Sequence, residues 1–225
     1  MDAAELPTPA WRTMQSGMVR TIRWIAAGLA VAALAASAAL WLRPGGMEGD
    51  VRSAGGIATP AGVPIGGPFT LIDQNGKPVT DATWRGRWML VYFGYTYCPD
   101  VCPTELQTVA AALDALGKQA AQMVPIFITI DPERDTAERM AEYVKLFDAR
   151  LVGLTGTPEQ IAAVAKAYRV YYAKVPAKDS APYLMDHSSF LYLMGPDGRF
   201  QTLFRPGTSA QDIADAIRSR LLSAS

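Results

Sequence analysis

The sequence predicts an α/β sandwich built on a mixed central sheet, preceded by one membrane-spanning helix. Three observations carry that expectation. Strand and helix patterns alternate from Phe69 onward. A hairpin pattern and a last helix close the chain, which favours a sheet with both parallel and antiparallel neighbours. An uncharged apolar run stands alone near the N-terminus.

That run is Trp24 to Leu42, WIAAGLAVAALAASAALWL. At about 1.5 Å per residue it gives roughly 28 Å of helix, close to the ~30 Å hydrocarbon core. Trp24 and Trp41 stand at its ends, where amphipathic rings favour the interface. A cleaved signal peptide is the rival reading, with Ala36, Ser37 and Ala38 as its cleavage site. Such a peptide has an apolar region of only about 7–15 residues, so an uncleaved anchor is favoured. Arg12, Arg20 and Arg23 precede the run, whereas Arg43 and Arg52 follow it. This bias puts residues 1–23 in the cytoplasm and the rest of the chain outside it. Eight glycines and four prolines fall between Arg43 and Pro68. Residues 43–67 therefore read as a flexible tether with a reach of about 25–30 Å, and residues 68–225 as one domain.

Within that domain, Phe69–Asp73, Asn75-Gly76 and Val79 suggest a hairpin with a type I′ turn. Trp88–Tyr95 and Met123–Ile130 are apolar runs of buried-strand length. Leu106, Val109, Leu113 and Leu116 recur at helical spacing, and so do Met140, Tyr143, Val144 and Phe147. Thr157-Pro158-Glu159-Gln160 is a capping box with proline at the first helical position. Ser189–Met194 and Arg199–Phe204 flank Gly195-Pro196-Asp197-Gly198 as a second hairpin. Thr208 to Gln211 cap a last helix carrying Ile213, Ile217 and Leu221.

The chain has 21 basic and 21 acidic residues, so nothing suggests a polyanion-binding surface, and nucleic acid is not expected as a partner. It holds two cysteines and one histidine. A bridge between cysteines four apart closes a tiny loop and adds little stability, so chemistry explains them better than a structural staple. They lie in Gly94-Tyr95-Thr96-Tyr97-Cys98-Pro99-Asp100-Val101-Cys102-Pro103, between a strand and a helix. Pro103 is tolerated only in the first helical turn, which puts Cys102 near the N-cap and Cys98 in the loop before it. Unpaired N–H groups and the helix dipole favour thiolate there. The blander reading is a pair of small buried residues.

Two close thiolates can chelate one soft metal or oxidise to a disulfide. Structural zinc normally takes four protein ligands, and the nitrogen and thiolate donors number three: Cys98, Cys102 and His187. Thiolate with imidazole suits copper, in either oxidation state. Met185 offers a thioether nearby, with packing as its expected role. Asp131, at the end of a buried strand, is read either as a group that tunes the site or contacts a partner, or as an ordinary Asp-Pro turn. Asp100 has a weaker case of the same kind.

Phe93–Pro103, FGYTYCPDVCP, resembles the signature of the Sco (SenC) family of cytochrome oxidase assembly proteins. Thr129–Thr136, TIDPERDT, is similar to that family's next motif, and Asp186–Ser189, DHSS, to its histidine segment. The resemblance runs from about Ile65 to the C-terminus. It implies a thioredoxin-like fold, in which the loop before the late strand faces the cysteine loop, and copper held by Cys98, Cys102 and His187. It further implies copper delivery to the copper A centre of oxidase subunit II, or reduction of that centre's cysteines by a redox-active Cys98–Cys102 pair. Other copper chaperones and a periplasmic thioredoxin-like reductase follow as expected partners. The expected location is the inner membrane, with the domain on the periplasmic side. The leading reading is a metallochaperone rather than an enzyme. Thiol–disulfide oxidoreductase and peroxiredoxin-like peroxidase are the alternatives. Against a thioredoxin-type oxidoreductase stand a C-x-x-x-C spacing in place of C-x-x-C, and His187-Ser188 where such a protein has proline. A peroxidase would not need a histidine at that spot, and the chaperone and thiol–disulfide roles remain compatible.

Overall fold

The computed structural model of the protein describes residues 56–57, 64–176 and 183–223. The apolar run 24–42 lies outside them. Among the described residues no helix is long and apolar enough to cross a membrane.

The elements in chain order are β1 (Gly56–Ile57), β2 (Thr70–Asp73), β3 (Pro78–Thr80), β4 (Trp88–Gly94), α1 (Val101–Leu116), β5 (Met123–Thr129), α2 (Ala137–Val144) and β6 (Val152–Thr155). They continue with α3 (Pro158–Ala167), β7 (Tyr172–Val175), β8 (Leu184–His187), β9 (Leu191–Met194), β10 (Phe200–Phe204) and α4 (Ala210–Ser223). Eight strands form one sheet in the order β1-β10-β9-β4-β5-β6-β2-β3. The β4–β5 and β5–β6 pairs are parallel and the others antiparallel, so the sheet is mixed. Every residue of β4 and β5 is buried, as expected of central strands covered on both faces. β1 pairs with β10 inside the stretch read as tether.

Two successive parallel crossovers place α1 and α2 on the same face. Gly94, Phe127 and Gly153 mark that face. A Cβ on Gly94 would meet Cys102 and Phe127, and one on Gly153 would meet Met140 and Val144. α4 packs along α1. On the opposite face Phe93, Tyr168 and Tyr192 pack ring against ring.

Local signals hold with two adjustments. The Thr157–Gln160 capping box forms with Pro158 in the first turn. The first hairpin does not use a type I′ turn, because only Gly76 takes positive φ and Asn75 does not. Asp73 accounts for this: its Oδ1 accepts from the N–H groups of Asn75 and Lys77 (2.8 and 2.9 Å) and holds a longer loop closed. α4 is capped by Ser209, one residue after Thr208; its Oγ accepts from the Asp212 N–H at 3.1 Å. The sequence reading has no counterpart for β7–β8, a separate two-stranded sheet.

Candidate metal centre

β4 stops at Gly94, and α1 begins at Val101 with Asp100 as N-cap. The six residues between them form the cysteine loop. Cys102 sits in the first helical turn and is fully buried, while Cys98 in the loop is partly exposed. The backbone N–H of Cys102 donates to Cys98 Sγ at 3.3 Å. An orphan amide at the helix start therefore addresses the other cysteine, and it favours thiolate there.

The pair shares one proton unequally. The Cys102 side chain, then His187 and the backbone N–H groups of Cys102 and Asp100, hold the Cys98 thiol down to about 4, against the opposing effect of burial. Cys102 moves the other way, because the hydrogen bond to Cys98 and burial both keep it protonated. Cys98 is thus the nucleophile and Cys102 carries the proton. An ordinary thiol near pKa 8.5 becomes roughly a hundredfold more reactive between about pH 6 and 8. Alkylation of Cys98 in the reduced, metal-free protein should instead stay nearly flat across that range, as followed by mass spectrometry. A profile rising like free cysteine would contradict the proton assignment.

His187 ends β8, where it pairs with Tyr172. Its Nδ1 lies 3.1 Å from the carbonyl oxygen of Ser188. A carbonyl only accepts, so Nδ1 carries a hydrogen there, and Nε2 is the ring nitrogen turned to the sulfurs. Nε2 lies 3.5 Å from Cys102 Sγ. The ring meets Tyr92 and Tyr95 edge-on, at centroid distances of 6.3 and 6.1 Å. The donor atoms of Cys98, Cys102 and His187 all lie within 4.8 Å of one another. Three donors at 2.0–2.3 Å around one ion would stand about 3.5–4 Å apart, so the set fits a metal after a small contraction. Deprotonating Cys102 would complete two thiolates and one neutral imidazole. An open cleft of about 390 Å³ leads to the site between the cysteine loop and β8.

The other candidates separate. Met185 packs on the core and also lines the cleft beside Cys98 and His187. Asp100 is exposed and its side chain makes no cap hydrogen bond; its carbonyl accepts from Thr104. Asp131 is buried but does not join the donor cluster. It pairs with Arg134 and accepts from the Tyr183 hydroxyl at 2.8 Å.

Asp135, four residues further on, went unnoticed in the sequence although it lies inside TIDPERDT. It is fully buried. Its carboxylate accepts from the Thr96 N–H (3.0 Å), the Thr96 hydroxyl (2.6 Å) and the Thr129 hydroxyl (2.6 Å), which ties the cysteine loop to β5. Thr96 and Thr129, polar residues at the exits of two apolar strands, were the available signal. Tyr92 was also missed. It looks like one more core aromatic, yet its buried hydroxyl has no hydrogen-bond partner. Burial raises its pKa far above the usual phenol value.

The SCO1/SenC family model matches residues 58–222. The mitochondrial SCO1 homolog of Mus musculus is 46% identical over 161 residues, which is 71% of this chain and 57% of that protein. The matched segment spans about half the length of the curated relatives at the head of that comparison. Bradyrhizobium japonicum ScoI with copper bound is 50% identical, with a TM-score of 0.63, covering 68% of this chain and 98% of that one. BsSco, a member of the Sco family of cytochrome c oxidase assembly proteins with an identified disulfide switch, is 25% identical with a TM-score of 0.57 and covers 74% and 98% of the two chains. These neighbours share the α/β, thioredoxin-like arrangement around a mixed sheet. With the family model matched across the described domain and relatives near half identical over the same stretch, this chain belongs to the SCO1/SenC family.

Proposed function

We propose that the protein is a copper metallochaperone. It binds one copper ion through Cys98, Cys102 and His187 and delivers it to the copper A centre of cytochrome c oxidase subunit II. The observation that carries this reading is the convergence of two sulfurs and one imidazole nitrogen at the mouth of a cleft. Two thiolates and a neutral imidazole cancel the charge of Cu(II), and the thiolates alone hold Cu(I). Copper bound to a relative half identical to this chain supports the choice of metal. Copper here is cargo. The half-exposed Cys98 faces the cleft, where an incoming ligand can exchange for it, while Cys102 stays anchored in the helix. Other copper chaperones would load the site, and a periplasmic thioredoxin-like reductase would keep its thiols open. Residues 24–42 would anchor the chain in the inner membrane, with residues 68–225 on the periplasmic side.

A second reading, thiol–disulfide exchange at the cysteines of the copper A centre, has its own support. The Cys98 thiolate is nucleophilic, Cys102 is close enough to resolve a mixed disulfide, and both thiols are free. The disulfide switch of BsSco points the same way.

Stoichiometry tests the first reading. The purified reduced protein should bind one copper. Cys98→Ala and Cys102→Ala should each lower Cu(I) affinity by at least about a hundredfold, because one thiolate alone is a poor Cu(I) chelate. Undiminished binding in either variant, or two tightly held coppers in the parent, would contradict the site.

A further inference from the structure

The site joins two pieces of chain that no backbone ladder connects. Cys98 belongs to the β4–α1 loop and Cys102 to the first turn of α1, beside the main sheet. His187 belongs to β7–β8, a separate two-stranded sheet. Hydrogen bonds within that small sheet do not fix where it stands over the cysteines; the short link 188–190 to β9 tethers it, and side-chain contacts set its position.

Several of those contacts meet at one guanidinium. Arg134 lies over the Tyr183 ring at 3.8 Å and its Nη1 donates to the Tyr183 carbonyl at 3.1 Å. Tyr183 is the residue immediately before β8. The same guanidinium faces Tyr97 at 4.6 Å and Tyr95 at 5.8 Å, both in the cysteine loop. Tyr95 is buried and also contacts the His187 ring. Asp131 closes the arrangement, pairing with Arg134 and accepting from the Tyr183 hydroxyl. Asp131 is almost wholly buried and Arg134 largely so, which keeps the pair out of the screening that weakens exposed ion pairs. The exposed Lys174–Glu133 pair adds a peripheral link of the weak kind.

We infer that Arg134, held by Asp131, is a positioning residue that braces the β7–β8 hairpin against the cysteine loop and so holds His187 Nε2 over Cys102. A planar, stacked guanidinium that binds a carboxylate and a carbonyl together cannot be replaced by an ammonium, even though the charge is kept. The brace rests on the copper reading only for its consequence. Its geometric content concerns His187 alone.

The experiment uses the full-length protein in detergent, as the parent, Arg134→Lys and Tyr183→Phe, each also combined with His187→Ala. Because the chain has one histidine, labelling histidine at Cε1 gives a single NMR signal, shifted in the metal-free parent by the Tyr92 and Tyr95 rings. Both variants should move that signal toward the value of a free imidazole. Arg134→Lys should lower Cu(II) affinity by about tenfold or more, and Tyr183→Phe by less. Cu(I) affinity and the dithiol–disulfide potential should stay near the parent's. In the His187→Ala background neither change should lower Cu(II) affinity further, because it acts through that histidine. An unmoved histidine signal in both variants would overturn the brace. So would equal losses for Cu(I) and Cu(II), or full additivity with His187→Ala. If the parent binds no copper, the histidine signal still decides: a shift upholds the brace while the copper reading falls.

Discussion

His187→Ala should separate the two readings of the site, and the effect should be large. Copper and disulfide chemistry share the cysteines but not the histidine. The substitution removes the imidazole donor and leaves the Cys102 N–H bond to Cys98 in place. Cu(II), which depends on nitrogen donors, should be bound at least about a hundredfold more weakly, whereas Cu(I) should lose less. The dithiol should still cycle. If copper delivery is the function, cells carrying His187→Ala should lose assembled copper A oxidase even though the protein accumulates and its thiols turn over. Oxidase assembled at the parental level, with the variant at parental abundance, would sink the chaperone reading and promote thiol–disulfide exchange. Oxidation of the parent works as a complement. A Cys98–Cys102 disulfide consumes both thiolates, so copper binding should fall on oxidation and return on reduction.

How much of this was legible in the sequence depends on the range of the interaction involved. The cysteine loop was readable because a proline, a helix start and two thiols fall within a few residues, and local rules govern such a segment. The central strands were readable because burial on both faces leaves continuous apolar runs at Trp88–Gly94 and Met123–Thr129. His187 as a partner of Cys102 was not derivable from its neighbours. The two are 85 positions apart, and family resemblance carried that expectation. β7–β8 left no strong pattern, since its residues are mostly half-buried and alternate weakly. The jobs of Asp131, Arg134 and Asp135 were hidden for a related reason. Within one short motif Asp131 and Arg134 face the hairpin while Asp135 faces Thr96 and Thr129. Spacing alone assigns them all to a polar turn.

Gly94 supplies a further test, one that disables the site without touching a ligand. Its neighbours leave no room for a side chain. A Cβ there would stand 2.7 Å from Cys102 Sγ, 2.9 Å from Phe127 Cε2 and 3.2 Å from Tyr92 Cε1. None of these can retreat easily. All three side chains are buried, Cys102 is held in the first turn of α1, and Phe127 lies between Tyr92 and Tyr143. Gly94→Ala should therefore cost about 1–3 kcal/mol by overpacking, and lower the Tm by roughly 2–12 °C in a chain of this size. The strain falls on Cys102, so its sulfur should shift relative to His187 Nε2 and Cu(II) affinity should drop by about tenfold or more. Gly117→Ala is the matched control. At φ +58 and ψ −126, outside the left-handed helical region, the added side chain strains the backbone by roughly 1–3 kcal/mol, but nothing lies within 4 Å of the added carbon. It should lower the Tm while leaving copper affinity at the parental value. Copper binding by Gly94→Ala equal to that of Gly117→Ala, at matched stability, would mean that the floor of the site is not packed against Gly94 as described. A selective loss in Gly94→Ala would show that the cysteine is held in register by a residue whose contribution is the absence of a side chain.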